Sequence, residues 1–562
     1  TPASIQVVPR QVLGEQQVNT FNDVLRNVPG VVQSVPDYQP AFTGVTIRGF
    51  LAGEGQNFTR NGLNSPFTDG TAIFSNIERV EVLKGPASVL FGGGNPGGTI
   101  NIVTKQPLRN PFYSVEATIG SYNLYGGAID LTGPLNDSKT ILYRLNASYE
   151  SGSSFVDFTE RRIPAVAGVV KFEIGRNTDL TLDLEYSKTN QGYSPGLPAI
   201  GTVLPNPNGE IPRDRNIGDE AGEYSPETFR VGYNLEHRFN ENWSLRNAFY
   251  FSDFYYKIRN AYYALGLEPD LRTLERGFNS DDFRSQSFDL ITNIVGKFST
   301  GAIQHQLLFG VDLRRVDQSS FSFGTLRGTP IDLFNPVYSL ERLDQTPSSE
   351  STTLTNSLGI YLQNQVTLTN HLKLLLGGRF DAFEQRDRNL TDATEAFQSG
   401  NAFSPRLGIV YQPIQPISLY ASYSRSFTPT IGRSRNDEPF EPGRGIQYEI
   451  GVKADINDKL STTLALYDLT RTNVTTADPD NPNFEIQTGE QNSRGVELLD
   501  NSFTLPNYFR TDASIFYKRD RFRAALNFKN LFNVDYFATA SGDLSVFPGE
   551  PFTVQGTVSW QF

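Results

Sequence analysis

From Phe112 to Phe562 the chain repeats one pattern: strand-like runs of roughly 9–15 residues in which apolar and polar side chains alternate. Ser114-Val-Glu-Ala-Thr-Ile119 and Asp179-Leu-Thr-Leu-Asp-Leu-Glu-Tyr186 are examples. Such a strand has one apolar and one polar face. The connections alternate too. Short ones (Gly133–Lys139, Gly175–Thr178, Asn240–Asn242, Thr369–His371, Asn457–Lys459) take turns with long polar ones (Gln191–Glu227, Ala261–Asp281, Asp317–Ser351). Tight turns at one rim and long loops at the other, kept up over roughly nineteen strands, predict a transmembrane β-barrel; a soluble sandwich rarely sustains that asymmetry.

Hydropathy alone misses this signal. No stretch approaches the ~18 apolar residues of a membrane helix, and a barrel strand needs none. The 41 Phe, 25 Tyr and 49 Gly suit a barrel. A net charge of −12 without long Lys or Arg runs argues against nucleic acid as a partner. With no cysteine there is neither a disulfide nor a thiolate metal site, as suits an exported protein. His237, His305 and His371 lie far apart and read as structural or surface residues. The chain starts at Thr1 without a methionine or signal pattern, so it reads as a processed or trimmed piece.

Residues 1–107 differ from the rest. Short β runs (Ser4–Val8, Val45–Ile47, Arg79–Leu83, Thr99–Thr104) mix with a helix-like stretch, Val18–Asn27, closed by Pro29-Gly30. This reads as a small α/β domain, joined through Lys105–Pro111 to a barrel over 108–562. The glycines of Phe91-Gly-Gly-Gly-Asn-Pro-Gly-Gly98 precede a strand, and Gly98 is followed by Thr99-Ile100. Neither a nucleotide-binding P-loop nor a dinucleotide fingerprint fits. No catalytic constellation stands out, so an enzyme is not expected.

Several stretches together resemble one family: Val28-Pro-Gly-Val31, Ile47-Arg-Gly-Phe50, Asn61-Gly-Leu63, residues 77–107, Gln447-Tyr-Glu-Ile-Gly-Val-Lys453, Leu466-Tyr-Asp-Leu-Thr-Arg-Thr-Asn473, Ser493-Arg-Gly-Val-Glu497 and Asn527-Phe-Lys-Asn-Leu-Phe532. The chain resembles TonB-dependent outer-membrane receptors, and among them the ferric hydroxamate (ferrichrome-type) siderophore receptors. The resemblance implies an all-β transmembrane barrel filled by the N-terminal α/β plug. It implies a bacterial outer-membrane receptor that binds a ferric siderophore for import energised by a TonB-type protein, with no resident cofactor. The TonB-contacting segment is expected upstream of Thr1 and is absent from this chain. A receptor for another metal chelate or cobalamin, or a non-transporting barrel remnant, is the alternative.

By the same resemblance, the plug cations Arg48 and Lys84 meet the barrel glutamates Glu449 and Glu497 in a lock. Lys84 stands where the relatives have arginine, which weakens that arm. Expected ligand contacts are Gly55, Gln56 and Phe67 on the plug, with Tyr193, Tyr262, Tyr263, Phe321 and Phe323 on the barrel. Ser194 and Gly196 replace aromatics of the ferrichrome receptor, which points to a different hydroxamate.

The family barrel has 22 strands. Here Ser493–Leu499 runs straight into Asp500-Asn-Ser-Phe-Thr-Leu-Pro506, which resembles a late outer loop ahead of another descending strand, Tyr508–Tyr517. Three strands are missing near 499/500. An odd ring cannot alternate throughout. Either a segment is re-threaded, or two strands meet parallel, or the barrel is open, or the sequence carries an assembly error.

Overall fold

Strand Phe112–Gly120 pairs with its sequence neighbour, Leu124–Pro134, and with the last strand, Thr553–Gln561; the second pairing closes the sheet into a barrel. The computed structural model describes residues 2–33, 44–52, 57–65, 74–338, 347–430, 432–436, 438–457, 460–495 and 509–562. Among the described residues the ring contains twenty-one strands; two of these, Asn190–Gly192 and Ile331–Asp332, are short pieces at the rim, leaving nineteen long ones. The registers are antiparallel all the way from Phe112 to Arg494, and again from Ala513 round to the closure. With nineteen strands the alternation must fail once. It fails between the neighbours Asn481–Arg494 and Ala513–Arg519, which run in the same direction. Of the arrangements left open by the sequence, this is the parallel meeting; residues 499 and 500 themselves lie outside the described residues.

Alternation sets which face looks where. On strand Leu372–Asn389, Arg379 and Asp381 are each 4% exposed while Phe380 between them is 45% exposed. The barrel is polar within and apolar without, as a lipid-embedded cylinder requires.

Two expected loops are strand instead. Apart from a tight turn over 268–272, Ala261–Asp281 falls within Trp243–Leu267 and Thr273–Thr300, and much of Asp317–Ser351 belongs to Ile303–Arg327 and Pro347–Thr367. Their polar and aromatic composition resembles a loop, yet each backbone group has a neighbouring strand to pair with. Outside the rim the loops form a small core of Leu197, Ile211, Ile217, Leu274, Ile331 and Leu333. The hairpin Phe537–Gly542 and Ser545–Pro548 docks there through Leu197 N–H to Val546 O (2.9 Å).

The lumen holds the N-terminal domain. Its five-stranded sheet runs Ile5–Pro9, Ile77–Lys84, Gly98–Thr104, Phe58–Arg60, Leu63–Asn64, and a second sheet joins Val31–Gln33, Val45–Ile47 and Phe50–Ala52. The expected helix contracts to Phe21–Leu25, because Thr20 caps it by accepting from Asp23 N–H. A further helix, Arg10–Glu15, precedes it. Valines, isoleucines and Phe21 fill the core, with Phe21 edge-on to Phe58.

Candidate functional site

Strand Val45–Ile47 ends in a turn where Arg48 adopts φ 52° and Gly49 φ 80°. This left-handed step aims Arg48, 3% exposed, at the barrel wall. Its Nη1 lies 2.7 Å from Glu449 Oε2 and donates to Gln447 Oε1 at 2.7 Å. Tyr420 donates to Glu449 Oε1 at 2.7 Å, and the guanidinium sits 4.0 Å above the Tyr467 ring. The carboxylate thus has a partner on each oxygen, which makes a buried ion pair tolerable. Gly85, at φ 87°, leaves room for the Gln447 amide, into which any Cβ there would run.

Further ties cross from plug to barrel. Arg60 donates to Glu185 Oε1 through Nε (3.1 Å) and Nη2 (2.7 Å), and Asn76 donates to the same oxygen at 2.9 Å. Lys105, in the linker, lies 2.6 Å from Asp130, which also pairs with Arg144 at 2.8 Å. Asp23, on the plug helix, accepts from Lys529 Nζ on both carboxylate oxygens at 2.9 Å and pairs with Arg26 at 2.9 Å. Burial pushes the Asp23 carboxyl up, but Lys529 and Arg26 outweigh it and hold the group well below its ordinary value. Burial, then Arg10, lowers the Lys105 ammonium to about 8, against the pull of Asp130.

Above the plug the lumen wall turns aromatic. The register that places Glu185 opposite Arg230 and Asp183 opposite Gly232 puts Tyr224 and Thr228 on the lumen face. Tyr224 then opposes Ile258, Thr228 opposes Phe254, and Tyr256 opposes Phe283. Tyr256 stacks on Phe283 at 5.2 Å and lies 5.5 Å from Tyr224 and 5.9 Å from Phe254. Tyr193, from the long outer loop, packs on the same cluster.

A family model of the TonB-dependent receptor plug domain matches residues 1–99, and one of the TonB-dependent receptor-like β-barrel matches 170–502. This chain belongs to the TonB-dependent receptors. A metal-pseudopaline receptor of Pseudomonas aeruginosa is 33% identical over 525 residues, 88% of this chain and 71% of that protein. The ferrichrome outer membrane transporter/phage receptor of Escherichia coli K12 is 31% identical over 528 residues, 88% and 70% of the two chains. In structure, the ferric-catecholate import receptor Fiu of E. coli superimposes with a TM-score of 0.90 at 20% identity, covering 100% of this chain and 97% of that one. The protein is therefore an outer-membrane receptor and not an enzyme.

Within the receptor the expected site residues separate. Arg48 and Glu449 meet as the lock requires. The Lys84 ammonium donates to the Pro29 carbonyl, and Glu497 lies outside the described residues, as do Gly55, Gln56 and Phe67. Tyr193 and Tyr263 face the lumen. Tyr263 lies over Gly277, whose missing side chain makes room for the ring, and Gly277 shares the face of Asp289 that lines the lumen. Tyr262 does not serve as a pocket wall: it is 1% exposed, with Arg276 4.1 Å over its ring and Phe278 at 5.0 Å, inside the outer cap. Phe321 and Phe323 pack edge-on at 4.9 Å. Arg314, Val316 and Gln318 line the lumen, so the two-residue period turns Phe321 to the opposite face.

Tyr224, Phe254, Tyr256, Phe283 and the ties of Glu185, Asp130 and Lys529 were not singled out from sequence. One signal was there. In Asp179-Leu-Thr-Leu-Asp-Leu-Glu-Tyr186 the charges share one face, and a charge on a barrel strand belongs on the lumen side.

Proposed function

We propose that this receptor binds a ferric siderophore, a hydroxamate by preference, against the aromatic wall of Tyr193, Tyr256, Tyr263 and Phe283, with the buried Tyr224 and Phe254 packed behind it. Import is then energised by a TonB-type protein acting on the plug. A hydroxamate chelate presents iron already wrapped in organic groups, so it needs flat apolar surfaces and a few donors rather than protein ligands to the metal. The iron arrives as cargo, with no resident cofactor in this reading. Gly55, Gln56 and Phe67 remain candidate contacts from the plug side. The observation that carries the proposal is the stacked, lumen-facing Tyr256–Phe283 pair above a plug held by buried ion pairs. A second reading, uptake of a pseudopaline-type metal chelate, draws on the 33% identity to the metal-pseudopaline receptor.

Binding of radiolabelled ferric chelates to the purified receptor tests both readings, using ferrichrome, schizokinen, aerobactin and a pseudopaline-type chelate. We expect a hydroxamate to bind best and Tyr256→Ala to weaken it about tenfold or more, as loss of a central aromatic anchor does. Preference for the pseudopaline-type chelate selects the second reading, and binding unaffected by Tyr256→Ala removes the aromatic wall from the site.

A further inference from the structure

We infer that the path for the cargo opens along one wall of the lumen: strands Thr273–Thr300, Ile303–Arg327, Pro347–Thr367 and Leu372–Asn389, beside the plug turn Ser88–Gly93. The inference rests on the receptor reading and adds where the plug withdraws.

Barrel charges are compensated in two different ways around the ring. Glu185, Asp130, Glu449 and Lys529 are paired with plug or linker groups: Arg60, Lys105, Arg48 and Asp23. Moving the plug away leaves Glu449 and Lys529 without their ion-pair partners; Asp130 and Glu185 keep Arg144 and Arg230 of the barrel, but Lys105 and Arg60 lose their carboxylates. On the other wall the charges pair among themselves. Arg379 lies 2.5 Å from Asp312 and 2.8 Å from Asp381, and Arg314 lies 3.4 Å from Asp289. The plug can leave this wall without stranding any of them.

A cavity of about 290 Å³ already separates this wall from the plug, lined by Asp289, Asp312, Arg314, Ser357, Arg379 and Asp381 and bounded on the plug side by Leu90–Gly93. Asp312 Oδ1, Asp381 Oδ2 and the Ser285 hydroxyl are buried without a hydrogen-bond partner among the described residues. Polar atoms in that state draw water, so the wall is wettable before any opening. The core of the plug turn, the short helix Ser88–Phe91, is flanked by Gly85 (φ 87°) and Gly92 (φ 78°), residues suited to absorb a swing. A second cavity, about 260 Å³, lies across the lumen against Arg10–Gln17 and is lined by Glu116, Thr118 and Arg523. The strands around it include those that carry Asp130 and Lys529, so opening there separates ion pairs.

The chain has no native cysteine, so single cysteines report cleanly. Ser357→Cys, with Thr355→Cys as a second site on the same wall, and Thr118→Cys on the far wall are placed in the intact receptor in living cells. A membrane-impermeant thiol reagent is added with and without ferric chelate, and with the proton-motive force intact or collapsed. Iron uptake is followed in parallel. Labelling at 357 and 355 is expected to rise about tenfold only when chelate and energy are both present, reflecting a shifted open population. Labelling at 118 stays flat, and a bulky adduct at 357 stops uptake. Uptake with labelling that rises at 118, or at neither wall, overturns the path while the receptor reading stands. Absence of uptake by the unsubstituted receptor with every chelate overturns the receptor reading and the path with it.

Discussion

Strand Gly98–Thr104 of the plug buries Ile100 and Ile102 completely, whereas strand Leu460–Asp478 of the barrel turns Leu464 and Leu466 outward, both more than half exposed. The two strands obey one rule in two solvents. The plug collects its apolar side chains in a core away from water; the barrel sends them to lipid and keeps its polar ones for the lumen. Where the two parts meet, a polar wall therefore touches a polar plug surface. Little hydrophobic free energy holds them together, so the seating depends on ion pairs and hydrogen bonds at identifiable points. A stopper held in that way can be moved by breaking a few directional contacts while its own core stays folded.

The largest effect is expected at a tie. Glu185→Ala leaves Arg60 buried beside Asn76 with its charge unmatched, at a cost of roughly 3–5 kcal/mol to the seated plug. Cells carrying the variant should become sensitive to large antibiotics that the native receptor excludes; unchanged resistance would show that the tie is not needed for seating. The Asp23–Lys529 tie adds a pH handle. Because the folded-state pKa of Asp23 is depressed, its contribution is fully present above the unfolded value near 3.8 and is lost as pH falls below it. The difference in plug stability between the native receptor and Asp23→Asn should therefore be constant from neutrality down to about pH 5 and shrink below about pH 4. Hydrogen exchange of the plug amides reads this, and a difference that grows on acidification reverses the assignment.

Next in size comes the lipid face. Leu466→Arg should cost about 2–4 kcal/mol if the residue lies near the bilayer midplane, less toward an interface. Urea unfolding in lipid vesicles measures it. A loss concentrated in the barrel, with plug amides unchanged, confirms that the two solvents act separately.

Much of this contrast was legible in the sequence, and the exceptions have physical causes. Period-two runs marked the barrel, the number of long strands and the odd ring, because alternation is what a wall between lipid and water imposes. The lock pair Arg48–Glu449 was reached through family motifs. Tyr262 was misjudged for a geometric reason. A bulge between Ile258 and Ala261 reverses the parity of strand Trp243–Leu267, so Tyr263 faces the lumen and Tyr262 the outer cap. Nothing in Ile258-Arg-Asn-Ala261 announces that bulge. The tall strands on either side of Leu267 read as loop because their partner is another tall strand, a fact of pairing and not of composition. The tie of Lys529 to Asp23 joins residues remote in the chain, and only the closed ring brings them together.

The smallest expected effect separates the two parts most sharply. Thr20 accepts from Asp23 N–H at 3.3 Å and caps helix Phe21–Leu25, the element that presents Asp23 to Lys529. Thr20→Ala removes that acceptor and should destabilise the helix by about 1 kcal/mol. Within the plug this is a local loss, read as faster exchange of the Phe21–Leu25 amides. Its reach is longer, because a fraying helix lets the Asp23 carboxylate wander from Lys529 and softens one tie to the wall. The barrel gains no flexibility from it, since the strand Phe522–Lys529 keeps its backbone bonds to both neighbours. Faster exchange in the helix with unchanged exchange in that strand is the expected result. Equal acceleration in both would mean that plug and wall share one cooperative unit, and the contrast between a folded stopper and an independent cylinder would fail.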